Sequence, residues 1–219
     1  MQNHLDTELK SLQYQLLNMG GIAENMLQDA IQSILDRDES LAHRVIALDD
    51  SVDKLENEIE AKCINIIARY QPVAFELRFL TMSLRVNQNL ERLADKCVSI
   101  ARRSVELLEY PPIEPFVDLP SVCLLIQEMV KDSLDSLVHR DAGLAEQLRQ
   151  RDNKVDEIYE KTVSELCVIL SRHPENIQAG ISILLLFRHL ERVGDIAVNI
   201  GEEVYYLVKG EVIRHSNTD

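Results

Sequence analysis

Leu90-Glu91-Arg92-Leu93-Ala94-Asp95 returns 100 residues later as Leu190-Glu191-Arg192-Val193-Gly194-Asp195. Upstream, Leu48-Asp49-Asp50-Ser51-Val52-Asp53 is answered by Arg151-Asp152-Asn153-Lys154-Val155-Asp156 at an offset of 103. Arg37-Asp38 with Leu41-Ala42 is answered by Arg140-Asp141 with Leu144-Ala145 at the same offset. A repeat of this length means two copies of one structural unit, and what both copies keep is the best place to look for function. Both keep paired carboxylates.

Outward from these segments, apolar residues recur at helical spacing nearly throughout, with no sustained alternation of period two. The pattern predicts a first helix over about Thr7–Arg37, with Gly20-Gly21 as a kink within it. Asp38 caps a second helix reaching about Tyr70, whose stripe carries Leu41, Val45, Leu48, Val52, Leu55 and Ile59. Pro72 is placed as a first-turn proline opening a third helix to about Leu108. Tyr110–Pro120, with four prolines, breaks the pattern. The second half repeats the plan: Ser121–Arg140, then a helix capped by Asp141 and running to Arg172, then one opened by Pro174 and reaching about Lys209. The fold expected is all-α: two tandem antiparallel three-helix bundles forming a six-helix, pseudo-symmetric, elongated domain. The expected division is 1–110 for the first repeat, 111–119 for a Pro-rich linker and 120–219 for the second, with a polar tail from Gly210.

Composition narrows the function classes. With 37 Asp and Glu against 23 Lys and Arg, the formal net charge is −14, which repels phosphate backbones and argues against nucleic-acid binding. No apolar run approaches the ~20 residues of a membrane span, and no signal segment is apparent, so a cytoplasmic location is expected. Cys63, Cys97, Cys123 and Cys167 show no Cys-x-x-Cys spacing, and three of them fall in apolar helical stretches, as small core residues of a reducing compartment do. Glu-x-x-His, His-Glu-x-x-His, glycine-rich phosphate loops and Gly-x-Ser-x-Gly are all missing from the sequence. That argues against a carboxylate-bridged oxidase or hydrolase.

The acidic pairs carry the chemistry. Asp49/Asp53, Glu91/Asp95, Asp152/Asp156 and Glu191/Asp195 are each spaced i, i+4, which puts both carboxylates on one helical face. The first two pairs are centred 20 residues before and 22 after the turn at residue 71, and the second two 19 before and 20 after residue 173. Both hairpins therefore bring their carboxylates level. Asp49 and Asp53 follow the stripe positions Leu48 and Val52, Glu91 follows Leu90 and Glu191 follows Leu190, so the carboxylates flank the seam between helices instead of pointing straight out. Four carboxylates at one level repel one another, and a cation relieves that cost; oxygen donors suit Mg, Mn or Ca, with iron or zinc also accommodated. The plain alternative is a solvated acidic face neutralised by Arg92, Arg102, Arg188 and Arg192. His189 lies on a different face from Glu191 and reads as a packing or surface residue. Met19-Gly20 reads as core and a close helix crossing.

Taken together, Met19-Gly20, the two Asp-x-x-x-Asp motifs, Gln71-Pro72-Val73-Ala74-x-Glu76-Leu77-Arg78 and the two Glu-Arg-x-x-Asp segments resemble the PhoU family of phosphate-signalling regulators. The stretch Glu191–Ile200 is the most specific, and the resemblance covers nearly the whole chain. It implies a non-enzymatic cytoplasmic protein, peripheral to the inner membrane through its partners. Those partners would be the ATPase subunit of a phosphate ABC transporter and a sensor histidine kinase. It further implies a homodimer, repression of uptake and of the phosphate-starvation response, and multinuclear iron or zinc at the eight carboxylates derived above. The alternative is a carboxylate-rich helical protein with a hydrolase or metal-handling role. Ala94 departs from the family's glycine, Lys96 and Ile196 from its histidine, Glu76 from its usual aspartate, and Ser99 stands opposite Asn199. The second acidic site is thus nearer the family pattern than the first.

Overall fold

The chain, described by a computed structural model over residues 2–111 and 119–211, is all-α. Six long helices follow in order: α1 Gln2–Leu35, α2 Glu39–Tyr70, α3 Ala74–Leu108, α4 Leu119–His139, α5 Ala142–Arg172 and α6 Ile177–Lys209. Most of the linker 112–118 and the tail from 212 lie outside the described residues. Helices α1–α3 make one antiparallel bundle and α4–α6 the other. The two join along α3 against α6 and α1 against α4, while α2 and α5 are not in contact. Packed this way, α2, α3, α6 and α5 form one layer with α1 and α4 behind its centre. Buried side chains from both halves make a single continuous core.

Local chemistry explains the turns. Asp38 and Asp141 each stand in extended conformation before a helix and accept from the N–H groups two and three residues on, at 2.8–3.2 Å. That satisfies two of the orphan donors of the first turn. The arginine before each cap, Arg37 and Arg140, takes the left-handed conformation at φ 53°. The two then diverge. Arg37 donates to the carbonyl oxygens of Leu107, Leu108 and Tyr110 at 2.9–3.3 Å, closing the C-terminal end of α3. Arg140 instead lies over the ring of Phe75 at 5.3 Å.

Several boundaries differ from the sequence expectation. Pro72 does not open α3: Gln71 ends α2 in the left-handed region, Val73 stays extended, and the helix begins at Ala74. Pro174 opens a short 3₁₀ turn, Pro174–Asn176, ahead of α6. α1 runs through Gly20-Gly21 as one helix, and the close crossing is there: a Cβ at Gly20 would stand 3.0 Å from Leu134 on α4. Leu48, assigned to the apolar stripe of α2, is 38% exposed. Among the described residues Glu76 and Arg78 form no ion pair with each other; residues two apart on a helix point to different sides. Glu76 lines a groove of about 280 Å³ with Phe75 and Arg140, whereas Arg78 reaches toward Gly210. Cys63, Cys97 and Cys123 are buried and Cys167 is exposed; burial pushes the thiols of Cys63 and Cys123 up to about 12. Among the described residues no helix is long and apolar enough to cross a membrane.

Removing either cap, by Asp38→Ala or Asp141→Ala, should cost about 1 kcal/mol, and the double variant about 2 kcal/mol, since the two turns lie at opposite ends of the molecule. Urea unfolding midpoints measure both.

Candidate metal centre

The buried positions of α2 fall on a seam of seven-residue period: Val45, Val52, Ile59 and Ile66 on one line, Ala42 and Cys63 on the companion line. Between Ala42 and Cys63 the companion line passes through positions 49 and 56, where an apolar side chain is expected. Asp49 and Glu56 occupy them. In α5 the lines are Leu148, Val155, Thr162 and Ala145, Leu166. The corresponding places between Ala145 and Leu166 hold Asp152 and Tyr159. A carboxylate half-buried in a helix seam loses hydration and needs a counter-charge. These positions are the structural reason for both sites.

Across from them, α3 presents Glu91 and Asp95, and α6 presents Glu191 and Asp195, so each hairpin joins its two pairs as expected. Burial, then the charges of Asp95, Glu56 and Asp53, push the Glu91 carboxyl up to about 7, with Arg92 opposing. Burial, then Asp195, Asp156 and Glu191, push Asp152 up to about 7. Asp49 is raised by burial and by Asp95 and Asp53 against Arg102. Asp156 is raised by burial and by Asp195 and Glu160 against Arg192. Glu191 is raised by burial and Asp195 against Arg192 and Arg188. The couplings run within each half, so the protein carries two acidic sites.

Glu56 lies outside the i, i+4 pairs. Burial, then Glu60, Asp53 and Asp95, raise its carboxyl, which places it in the first site. Next to it the buried Asn87 on α3 donates to the Glu56 carbonyl oxygen at 2.9 Å, tying the two helices together at that level. Its heptad spacing from Asp49 was the available signal.

The second site is built differently. A Cβ at Gly194 would stand 3.1 Å from Asp152 Oδ1, so the missing side chain lets that carboxylate rest against α6. At the corresponding place Ala94 supplies the methyl that Gly194 omits, and Glu91 instead of Asp49 is the carboxyl pushed furthest. Arg192 Nη1 donates to Asp195 Oδ2 at 2.8 Å, and its Nε stands 3.5 Å from Glu191 Oε2. Arg188 hydrogen-bonds Tyr159. His189 is half-buried facing Lys96 and Arg103, at the junction of α3 and α6.

The donors are hard carboxylate oxygens of the kind a cation accepts, and Glu191 Oε2 makes no hydrogen bond, although Arg192 Nε stands 3.5 Å from it as an ion-pair partner. Among the described residues no three His, Cys, Asp or Glu side chains are gathered closely enough to hold a metal as they stand. The carboxylates face each other at Coulombic and not ligating range, as mutually repelling groups do.

Two three-helix repeats, each with a carboxylate site on its hairpin, define the class of protein. The PhoU domain family matches residues 16–104 and 119–204, one match to each repeat, and the chain belongs to that family. It is 34% identical to a phosphate-specific transport system accessory protein PhoU homolog of Pseudomonas aeruginosa, over 98% of this chain and 89% of that one. It is also 34% identical to the PhoU homolog of Aquifex aeolicus, over 96% and 95%. The crystal structure of PhoU from Pseudomonas aeruginosa superposes with a TM-score of 0.91 at 35% identity, covering 94% of this chain and 99% of that one. The phosphate transport system regulatory protein PhoU from Streptococcus pneumoniae gives 0.86 at 26%, covering 96% and 99%.

The raised carboxyls set a pH dependence. From ordinary values of 4.5 for Glu91 and 3.8 for Asp152 to about 7 in the fold, the folded state binds more protons than the unfolded chain. Stability of the metal-free protein therefore falls as pH rises through that window. Chelator-treated protein should melt at a higher temperature at about pH 5.5 than at about pH 7.5, and the difference should shrink in Glu91→Gln/Asp152→Asn.

Proposed function

We propose that the chain is a non-enzymatic regulator of phosphate uptake that acts by protein contact. The carrying observation is that proteins named as phosphate-specific transport system accessory proteins align over nearly its full length and through both repeats. The long charged faces of α2, α3, α5 and α6 offer an extended docking layer. The turn Gln71–Val73, with Val73 71% exposed, adds a segment whose sequence has no counterpart in the second repeat. On this reading the protein works in the cytoplasm as a homodimer and associates with the ATPase subunit of a phosphate ABC transporter and with a sensor histidine kinase. It holds uptake and the phosphate-starvation response down when phosphate is plentiful. The carboxylate sites bind divalent or trivalent cations, iron or zinc among them, through Asp49, Asp53, Glu91 and Asp95 and through Asp152, Asp156, Glu191 and Asp195. When bound, the cation supplies charge neutralisation that draws α2 to α3 and α5 to α6.

Loss of the gene should derepress a phosphate-starvation promoter in phosphate-rich medium, with the intact gene restoring repression; unchanged promoter output would sink the regulatory reading. Purified Glu191→Gln/Asp195→Asn should carry less metal than the parent protein by elemental analysis, and equal metal content would defeat the assignment of the second site.

A further inference from the structure

Between the two acidic sites, part of the seam of α3 against α6 carries the opposite charge. The antiparallel register set by Arg85–Glu203 and Glu106–Ser182 brings His189 level with Ser99. On α3, Lys96 and Arg103 lie one turn to either side of Ser99 on the same face, about 10 Å apart along the axis. Lys96, Arg103 and His189 are all half-buried, and burial, then Lys96 and Arg103, hold the imidazole below its ordinary value. Cationic side chains that give up hydration need an anion beside them. Here little is supplied. Among the described residues Lys96 makes neither a hydrogen bond nor an ion pair. Glu106 accepts from Arg103 Nη1 and from Ser182, while Arg103 Nε is buried without a hydrogen-bond partner. Asp95, beside Lys96 in the chain, belongs to the first acidic site, and Glu191 and Asp195 are held by Arg192.

The internal repeat shows that the fold does without this cluster. At the offset of 100 residues, Lys96, Arg103 and His189 are answered by Ile196, Glu203 and Asn89, toward the other end of the same seam. There Ile196 and Asn89 are buried, and Glu203 pairs with Arg85 at 3.1 Å. One half of the seam is thus neutral or paired within itself. The other holds three nitrogen-bearing side chains that share one carboxylate.

We propose that this part of the seam is an oxyanion site: the Lys96 ammonium, the guanidinium donors of Arg103 that Glu106 leaves unused and a ring N–H of His189 hold one small tetrahedral oxyanion of the phosphate class. Lysine and arginine bring charge-assisted hydrogen bonds, and the neutral imidazole brings one donor. Arg103 keeps Glu106 on Nη1, so the planar guanidinium stays oriented while the anion takes its other donors. The formal net charge of −14 repels anions from the surface at large, so binding here depends on these three groups at short range. The site rests on neither the cation reading of the acidic pairs nor the regulatory reading, and its test is separate from theirs.

The test is titration of the full-length, chelator-treated protein with sodium phosphate, against sodium chloride at matched ionic strength, read by NMR of ring-labelled histidine. His189→Gln identifies the His189 signal by its loss. That signal should move saturably with phosphate and stay in place with chloride. Lys96→Met should raise the half-saturating phosphate concentration about tenfold or more, the scale of one charge-assisted hydrogen bond. Lys131→Met, which removes the same charge from the exposed face of α4, should change it by less than about twofold, because distant exposed charges are screened. Circular dichroism checks that each variant stays helical, and Lys96→Gln serves in place of Lys96→Met if that variant does not fold. No saturable movement with phosphate, an equal response to chloride, or a Lys96 variant that binds phosphate like the parent would overturn the proposal. Equal weakening by Lys131→Met would also overturn it, by reducing the effect to net charge.

Discussion

Antiparallel packing of α3 on α6 is the contact from which the rest of the molecule follows. Arg85 meets Glu203 near one end of it, and Glu106 meets Ser182 near the other. The middle of that run falls on the Glu-Arg-x-x-Asp segments of both helices. Each repeat is a three-helix unit that leaves one side of its third helix apolar, and two such sides cover each other only if the copies meet head to tail. The continuous core that results, with α1 crossing α4 at Gly20, makes the two repeats one body. It also sets both acidic sites at the same level of the layer, flanking the central seam.

Against this frame Asp49, Glu56 and Asp152 stand where a helix seam calls for apolar side chains, and partial burial, with neighbouring like charges adding to it, raises the carboxyls of Glu91 and Asp152. Asp49 and Asp152 recur at the same place in both copies, whereas Glu56 is answered by Tyr159, and on the reading proposed above a cation offsets the cost.

Much of this was legible in the residues. The caps at Asp38 and Asp141 are short-range devices and were found where they were expected, and the duplicated Arg-Asp turn located four helix ends. The pairing of Asp49/Asp53 with Glu91/Asp95, and of their counterparts, followed from hairpin length alone. What local spacing could not convey was rotation and geometry. Helical spacing puts Leu48 on the apolar stripe, but the seven-residue line through Val45 and Val52 turns it outward and brings Asp49 in. Pro72 suits a first helical turn, but Val73 stays extended and delays α3 to Ala74. Glu56 escaped because it is seven residues from Asp49 and its repeat partner is a tyrosine, so neither the i, i+4 rule nor the internal repeat points to it.

The most direct test of the central claim, that the paired carboxylates are cation sites, is anomalous diffraction from crystals of the full-length protein grown with Mn²⁺. The account predicts anomalous peaks within coordination distance of Glu91 and Asp95 between α2 and α3, and of Glu191 and Asp195 between α5 and α6. Well-ordered carboxylates with no anomalous peak at either place would contradict it, and would leave the acidic seams as a solvated face.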